Sequence, residues 1–413
     1  MQLLERRWGR RALFGVLYAS EGAPIGYIWW ALPTKLKDAG VPVEEVTALT
    51  AMVTVPWALK FLWAPLVDTL RGPRWGLRAW IVASQLLMGL ALLPLLLSEA
   101  PFATDKLGLL SALLVGHALF ASTQDVSIDA LAIATVPAEE RGSINGFMQL
   151  GMLGARAAFG GLALYVEPYV GERAVLGALL GCIWLSTLLV LVGVREPGGD
   201  GSNGAGAAKG FAGKLWAMLK ARATWYALAF AVVASAGFKS TGAIAGPLLL
   251  HGGVSKEDVG LFFSTTAGAL ALGALAGGKL ADRHGRSRAT RGLLVGLAAC
   301  VVATAGAAAI GGAALVVALI ALYVAAGAFT AAELALYMDA TDPSLGATQF
   351  SAYMGAINLC ETWSSYSVGQ MIPAVGYPSA LMAMALVSLL GLGILPRMIA
   401  SSEEQAVARP PES

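Results

Sequence analysis

Long apolar segments separated by short polar stretches run along the whole chain. Twelve of these segments reach about 20 residues, the length that a helix needs to cross the hydrocarbon core of a bilayer. The pattern predicts an all-α membrane protein with twelve transmembrane helices. The predicted spans cover residues 12–32, 44–68, 77–98, 107–136, 142–165, 173–194, 222–249, 257–281, 290–309, 313–339, 347–371 and 377–396.

The composition agrees with this class of protein. Of the 413 residues, 57% are hydrophobic and 13% are charged, whereas soluble proteins have about 25% charged residues. The three cysteines lie in apolar segments, and neither they nor the three histidines have the spacing of metal ligands. No phosphate-binding loop and no soluble domain large enough for an enzyme interrupt the spans. We therefore expect no enzyme, no metal site and no cofactor, and the net charge of +2 gives no indication of nucleic-acid binding.

A glycine-rich stretch at residues 195–209 divides the chain near its middle, and its composition is typical of a flexible linker. The residues that follow it alternate apolar and basic side chains, as in a helix on a membrane surface. We predict four parts: an N-terminal six-helix bundle at 1–195, a cytoplasmic linker with a surface helix at 196–221, a C-terminal six-helix bundle at 222–400 and a disordered tail at 401–413.

Lysine and arginine gather in alternate loops. They are frequent at 6–11, 71–78, 195–222 and 283–291, and sparse in the loops between. Because basic loops of membrane proteins stay in the cytoplasm, this bias predicts that both termini are cytoplasmic. The basic residues of the sparse side are Lys35, Lys37, Lys106, Arg173 and Lys256.

The two halves of the chain repeat each other. Residues 40–46 match residues 253–259 at an offset of 213, and Ala134-Thr-Val-Pro137 matches Ala340-Thr-Asp-Pro343 at an offset of 206. A parallel repeat of six plus six spans across a cytoplasmic linker resembles the plan of the major facilitator superfamily, whose solute site lies between the halves near mid-membrane.

The loop after the eighth span strengthens this resemblance. Gly278-Lys-Leu-Ala-Asp-Arg-His-Gly-Arg-Ser287 resembles the superfamily signature, and residues 64–74 hold a degenerate copy. An aspartate at a helix end can pair with arginines and with the positive end of a neighbouring helix. We expect a cytoplasmic gate built from Asp68, Asp282, Arg283 and Arg286; the alternative is that these are interfacial charges that only set the topology.

Three further motifs resemble the AmpG-like branch of the superfamily, which includes muropeptide permeases, acetyl-CoA transporters and siderophore importers of the RhtX/FptX type. The motifs are Glu21-Gly-Ala-Pro-Ile-Gly26, Lys60-Phe-Leu-Trp-Ala-Pro-Leu-Val-Asp68, and Thr123-Gln-Asp-Val-Ser-Ile-Asp-Ala130 with residues 137–142. This resemblance makes Lys60, Gln124, Asp125 and Asp129 the recurring motif residues of the membrane part.

Acidic residues inside the spans are the candidates for proton coupling. Asp125 and Asp129 are four residues apart, so they lie on one helix face, and a charge at the bilayer centre costs on the order of 3 kcal/mol. Glu21 lies in the first span beside Gly22 and Pro24, which loosen the helix. We predict that Asp125, Asp129 and Glu21 bind protons. The alternatives are an ion pair with Arg156 for the aspartates, and backbone groups freed by the proline as partners for Glu21.

Other polar residues in the spans are candidates for contact with the solute. They are Gln124, Arg156, Lys239, Asn358, Glu361 and Lys60. Lys60 could instead extend its side chain to the membrane surface, and Trp29 and Trp30 are expected in an aromatic belt at the interface.

Together these features predict a secondary active, proton-coupled transporter that works by alternating access. We expect it to import a polar carboxylate-bearing solute, such as a muropeptide or a siderophore, across the bacterial inner membrane. The alternatives are a proton-antiport exporter of drugs or metabolites and a membrane sensor that transports nothing. The expected partners are the solute and the lipid bilayer, the expected energy source is the proton gradient, and the expected state is a monomer.

Overall fold

The regular elements of the protein are helices, as predicted. A computed structural model describes residues 2–69, 75–98, 106–137, 140–195, 213, 216, 219–341 and 346–407. The α-helices of these residues are α1 Arg7–Gly26, α2 Leu32–Asp38, α3 Val43–Leu59, α4 Ala64–Thr69, α5 Leu77–Leu97, α6 Leu107–Thr135, α7 Arg141–Arg156, α8 Ala163–Val170, α9 Glu172–Gly193, α10 Arg222–Val233, α11 Ala236–His251, α12 Lys256–His284, α13 Arg286–Ala308, α14 Gly312–Ala340, α15 Gly346–Leu389 and α16 Gly391–Val407.

Ten helical segments in the described residues are long and apolar enough to cross a membrane. The last of them, Gln349–Ser402, covers both the eleventh and the twelfth predicted spans. The chain bends between these two spans at Gly376, whose φ of 76° is a conformation that favours glycine. The first predicted span corresponds to α1 and the residues that continue it to α2. This helical segment is not among the ten. The all-α membrane fold is therefore confirmed.

Two π-helical turns interrupt the first-half helices. Tyr27–Ala31 joins α1 to α2 and Ala157–Leu162 joins α7 to α8, and the two turns pack against each other. Such turns are rare in α-helices and are frequent at functional sites. Pro24, which the sequence predicted to loosen the first span, lies three residues before the first turn.

Glycines let several helices approach each other closely. A Cβ atom on Gly22 would collide with the main chain of Met152, so α1 and α7 touch through their backbones. A Cβ atom on Gly277 would in the same way collide with the main chain of Ala328, where α12 meets α14. Small residues at membrane helix contacts replace the hydrophobic driving force with close van der Waals packing.

The described chain divides into two compact units. Unit 1 consists of Met1–Val41, Leu62–Ala208 and Ser255–Ala267, and unit 2 consists of Pro42–Phe61, Lys209–Val254 and Gly268–Ser413. Each unit thus contains one segment from the opposite half of the sequence. The two exchanged segments begin at the repeat that links residues 40–46 to residues 253–259, so they are equivalent positions of the two halves. The bundle boundaries at 195 and 222 stay a prediction.

The C-terminal end differs from its prediction. Helix α16 continues to Val407, so residues 401–407 are helical and only residues 408–413, which lie outside the described residues, keep the prediction of disorder. The sequence after Ser402 is rich in glutamate, glutamine and alanine, which favour helix. The linker and most of the predicted surface helix at 196–221 also lie outside the described residues.

Candidate transport site

The three acids predicted to bind protons lie near one tyrosine in unit 1. The Tyr18 hydroxyl donates a hydrogen bond to Oδ1 of Asp129 at 2.6 Å, and the charges of Asp129, Asp125 and Glu21 all act on the Tyr18 phenol. Glu21 is 1% exposed and Asp125 is 6% exposed, whereas Asp129 is exposed. The structure therefore brings the three acids together. Sequence reasoning missed Tyr18, although its spacing of three from Glu21 puts both residues on one helix face.

A buried amide network lies beside these acids. The Gln85 Nε2 group donates to the hydroxyls of Ser20 at 3.2 Å and Ser186 at 3.0 Å, and Gln124 donates to Ser20 at 3.4 Å. Gln124 is fully buried, so it joins α6 to α1 in addition to the solute contact predicted for it. Gln85 was missed because an amide inside an apolar helix carries no motif.

Arg156 lies over the indole of Trp30. The guanidinium carbon is 5.9 Å from the centre of that ring, and the Trp30 ring also stacks on Phe263 with 5.4 Å between the ring centres. Trp30 is 8% exposed. Trp30 is therefore packed among the helices of unit 1, whereas the interfacial belt expected for Trp29 and Trp30 stays a prediction.

Lys239 and Glu361 form an ion pair in unit 2. The lysine Nζ is 2.6 Å from Oε2 of Glu361, which joins α11 to α15. The sequence predicted that both residues contact the solute, and the structure brings them together. The buried carboxyl of Glu333 lies beside this pair and interacts with Lys239 at longer range.

The remaining two predicted contacts of this unit lie around Trp57. Asn358 donates from Nδ2 to the main-chain oxygen of Trp57 at 3.2 Å, and the ammonium of Lys60 is 5.6 Å from the centre of the Trp57 ring. Asn358 is three residues before Glu361 on α15. The Asn358 hydrogen bond connects α3 with the helix that carries the ion pair.

The predicted cytoplasmic gate is only partly visible. The side chains of Asp68 and Asp282 lie outside the described residues, and Arg283 and Arg286 are exposed. Arg286 reaches the main-chain oxygen of Ala335 at 3.5 Å. The gate stays a prediction.

A charged contact that the sequence did not predict lies near the N-terminus. The Arg10 guanidinium donates to both oxygens of Glu140, at 3.0 and 2.6 Å, and Arg7 lies 3.2 Å from the same carboxylate. The hydrogen bonds from Arg10 hold the pKa of Glu140 below its ordinary value, so the contact stays charged at neutral pH. Arg7 and Arg10, which the sequence analysis used only to predict the cytoplasmic side, thus also connect α1 to the residue before α7.

A second cluster of charges that the sequence did not predict joins α2, α8 and α9 to the start of α12. Lys35 is 5% exposed and pairs with Glu167 at 2.9 Å and with Glu172. Lys256 lies 3.6 Å from Glu167 and 3.4 Å from Asp38. Burial lowers the pKa of Lys35 to about 8, although the nearby Glu167 opposes this shift. Because this pKa is still above 7, Lys35 remains mostly charged at neutral pH. Sequence reasoning counted both lysines as loop charges because their partners are far away in the chain.

Lys256 differs from the other members of this cluster because it comes from the second half of the sequence. It begins α12, and a few residues later Gly260 and Ser264 lie against the π-helical turn at Gly161. A Cβ atom on Gly161 would collide with the Ser264 main chain and would lie 2.6 Å from the Gly260 oxygen. Charge and close packing therefore hold residues 255–267 on the first-half helices of unit 1.

Long apolar helices that enclose ionisable side chains in each unit are typical of a multi-pass membrane transporter. The family model of the Major Facilitator Superfamily matches residues 14–365, and the chain belongs to this superfamily. Its members are transporters and not enzymes. The structure of a bacterial homologue of the human lysosomal transporter Spinster has a TM-score of 0.74 and 14% identity and covers 98% of this chain and 99% of that chain, which confirms the two-domain fold.

One relative carries the resemblance to the AmpG-like branch further, and a second relative matches over most of this chain. The anhydromuropeptide permease of Escherichia coli K12 is 29% identical over 188 residues, which are 44% of this chain and 35% of that protein. The chain thus spans about a third of that permease. A Haemophilus influenzae protein described as uncharacterized is 28% identical over 392 residues and 87% of both chains. The resemblance to this branch is therefore confirmed.

Proposed function

We propose that this chain is a proton-coupled importer of a polar, carboxylate-bearing solute across the bacterial inner membrane. The observation that carries the proposal is that each compact unit encloses its own ionisable cluster, acids around Tyr18 in one and the Lys239–Glu361 pair in the other. Both termini are cytoplasmic in this proposal, in agreement with the distribution of lysine and arginine. The likeness to a permease for anhydromuropeptides supports a muropeptide-like solute, and a siderophore-like solute is the second candidate.

The charges of the two clusters suggest different roles for them, solute binding in unit 2 and proton exchange in unit 1. Lys239 is a cation inside apolar helices, and a solute carboxylate can compete with Glu361 for it through a charge-assisted hydrogen bond. The acids around Tyr18 are the groups that exchange protons, since a proton removes the cost of a buried charge. A proton gradient then favours the state in which these acids are protonated, and the solute shifts the same equilibrium by its differential affinity.

Alternating access needs a contact between the halves that closes and opens. Lys256 and the packing of Gly260 on Gly161 support such a role, because they join the two halves of the sequence at helix ends on the predicted external side. The Arg10–Glu140 contact joins residues of the first half only, so we expect it to persist throughout the cycle.

The proposal is tested with the full-length protein in proteoliposomes. We expect labelled anhydromuropeptide to accumulate when the outside is acidic, and not when the two sides have equal pH or when a proton ionophore is present. A ferric siderophore measured in parallel separates the two solute classes. Efflux driven by the opposite gradient, without uptake of either solute, would instead support the antiport exporter.

Lys239→Gln is expected to weaken binding of the carboxylate-bearing solute by about tenfold or more, since a hydrogen bond to a charged group contributes about 1.5–3 kcal/mol. An analogue whose carboxylate is converted to an amide should lose little affinity. Calorimetric titration of both ligands against wild type and variant measures the difference. Lys220→Gln removes an exposed lysine and serves as the control; equal losses for both ligands would assign Lys239 a structural role.

A further inference from the structure

The buried acid Glu333 has no role in the transport scheme above. Its side chain comes from α14 and is 1% exposed. Tyr337, one turn later on the same helix, donates to Oε1 at 2.8 Å, and the Ser235 hydroxyl lies 3.4 Å from Oε2. Neutral hydroxyls thus hold both oxygens of a carboxyl group inside an apolar span.

Two acids share one lysine at this place. In the part of the chain that the structure describes, Glu333 has no ion pair, whereas Lys239 is paired with Glu361 at 2.6 Å. Lys239 still acts on Glu333 at longer range. With both acids ionised, the group of three carries one uncompensated negative charge. One bound proton makes the group neutral.

Among the described residues, the neighbouring helices contribute the following other titratable groups. Helix α15 contributes Cys360 and also Tyr353, whose ring lies on Tyr337 with 5.2 Å between the ring centres. Helix α13 contributes Arg286, which is exposed and reaches Ala335, and α16 contributes the exposed Arg397, bonded within its own helix. Within the described residues, Lys239 is the cation that acts on Glu333, and it is also the lysine proposed to bind the solute.

We propose that Glu333 takes up a proton when an anionic solute draws Lys239 away from the two acids, so that solute and proton bind together. The proton comes from the aqueous phase on the side to which the site is open, and Tyr337 and Ser235 keep the protonated carboxyl hydrogen-bonded. Because linkage is reciprocal, protonated Glu333 in turn favours the anionic solute. This inference rests on the proposed function for the solute, but the protonation of Glu333 can be tested without any solute.

The solute-free test is infrared spectroscopy of the full-length protein in lipid during a pH titration. We expect a carboxylic-acid C=O band that titrates in wild type and is absent from Glu333→Gln. Tyr337→Phe should shift the frequency of the band without abolishing it. Glu45→Gln, which removes an exposed carboxylate of α3, should leave it unchanged.

Lys239→Gln imitates the loss of the cation. In this variant the band should persist to a pH higher by about one unit or more, because a nearby cation favours the ionised acid. A band that is the same in wild type and Glu333→Gln, or that does not respond to Lys239→Gln, would overturn the inference.

The coupled step is tested by calorimetry of anhydromuropeptide binding in buffers with different ionisation enthalpies. We expect Glu333→Gln to take up about one proton fewer per bound solute than wild type. Such a difference in proton uptake would support the coupled step. Equal uptake in the two proteins would overturn it. If no carboxylate-bearing solute binds to the wild type, the proposed function fails, while the infrared result still decides whether Glu333 binds a proton under the control of Lys239.

Discussion

Valine in place of Gly161 is expected to abolish solute uptake while the protein remains folded. Gly161 lies in the π-helical turn Ala157–Leu162, where a side chain would collide with the main chain of Ser264 and approach that of Gly260. Main-chain atoms cannot move aside without separating the helices, and overpacking costs about 1–3 kcal/mol or more. The collision destabilises only the state in which residues 255–267 pack against Gly161. We therefore expect the variant to lose that state of the transport cycle.

Two other glycines provide the controls. Gly154 has open space around its Cα atom, so Gly154→Val should transport like wild type. Gly22→Val creates the same kind of collision between α1 and α7, which belong to one half of the sequence, and it should lower the yield and the melting temperature. Uptake in proteoliposomes and thermal unfolding in detergent distinguish the three variants. Normal uptake by Gly161→Val, or unfolding like that of Gly22→Val, would argue against a contact that opens during transport.

Asp125→Asn is expected to reduce proton-driven uptake to the level measured without a pH gradient. Asparagine keeps the shape of the side chain and removes the exchangeable proton. Exchange of labelled for unlabelled solute, which needs no net proton movement, should continue. Both rates are measured in proteoliposomes with the same preparation.

The neighbouring acids make this prediction specific. Asp129 is exposed and holds the Tyr18 hydroxyl, so Asp129→Asn should have the smaller effect on the gradient dependence. Asp258→Asn alters an exposed acid that bonds Ser255 at the start of α12 and should behave like wild type. Proton-driven accumulation that survives in Asp125→Asn would remove this residue from the coupling mechanism.

The parts of the site that could be predicted from sequence are those with a local signal. Asp125 and Asp129 are candidates because a spacing of four places two costly charges on one face of an apolar helix. Glu21 is a candidate because it lies beside Gly22 and Pro24 in an apolar segment. The twelve spans and the superfamily signature at residues 278–287 were equally local and predicted the fold.

Contacts between distant parts of the chain could not be predicted in this way. The Lys239–Glu361 pair joins residues that are 122 positions apart, and each residue alone was only a candidate for solute contact. Lys35 was assigned to topology because nothing near it in sequence indicates its acidic partners. The partners of a buried charge are set by helix packing, which depends on the small residues at helix crossings as much as on the charges themselves.

The exchange of equivalent segments between the two units has a consequence for the response of the protein to salt. Lys256 occupies the repeat position of Val43, so the docked segment of unit 1 begins with ion pairs. The equivalent segment in unit 2 is held by hydrogen bonds to main-chain oxygens, from Asn358 to Trp57 and from Gln370 to Glu44. Dissolved ions screen the first kind of contact and leave the second nearly unaffected. We therefore expect the two equivalent segments to respond unequally to ionic strength, with high salt weakening the more exposed Lys256–Asp38 pair before the main-chain hydrogen bonds of unit 2.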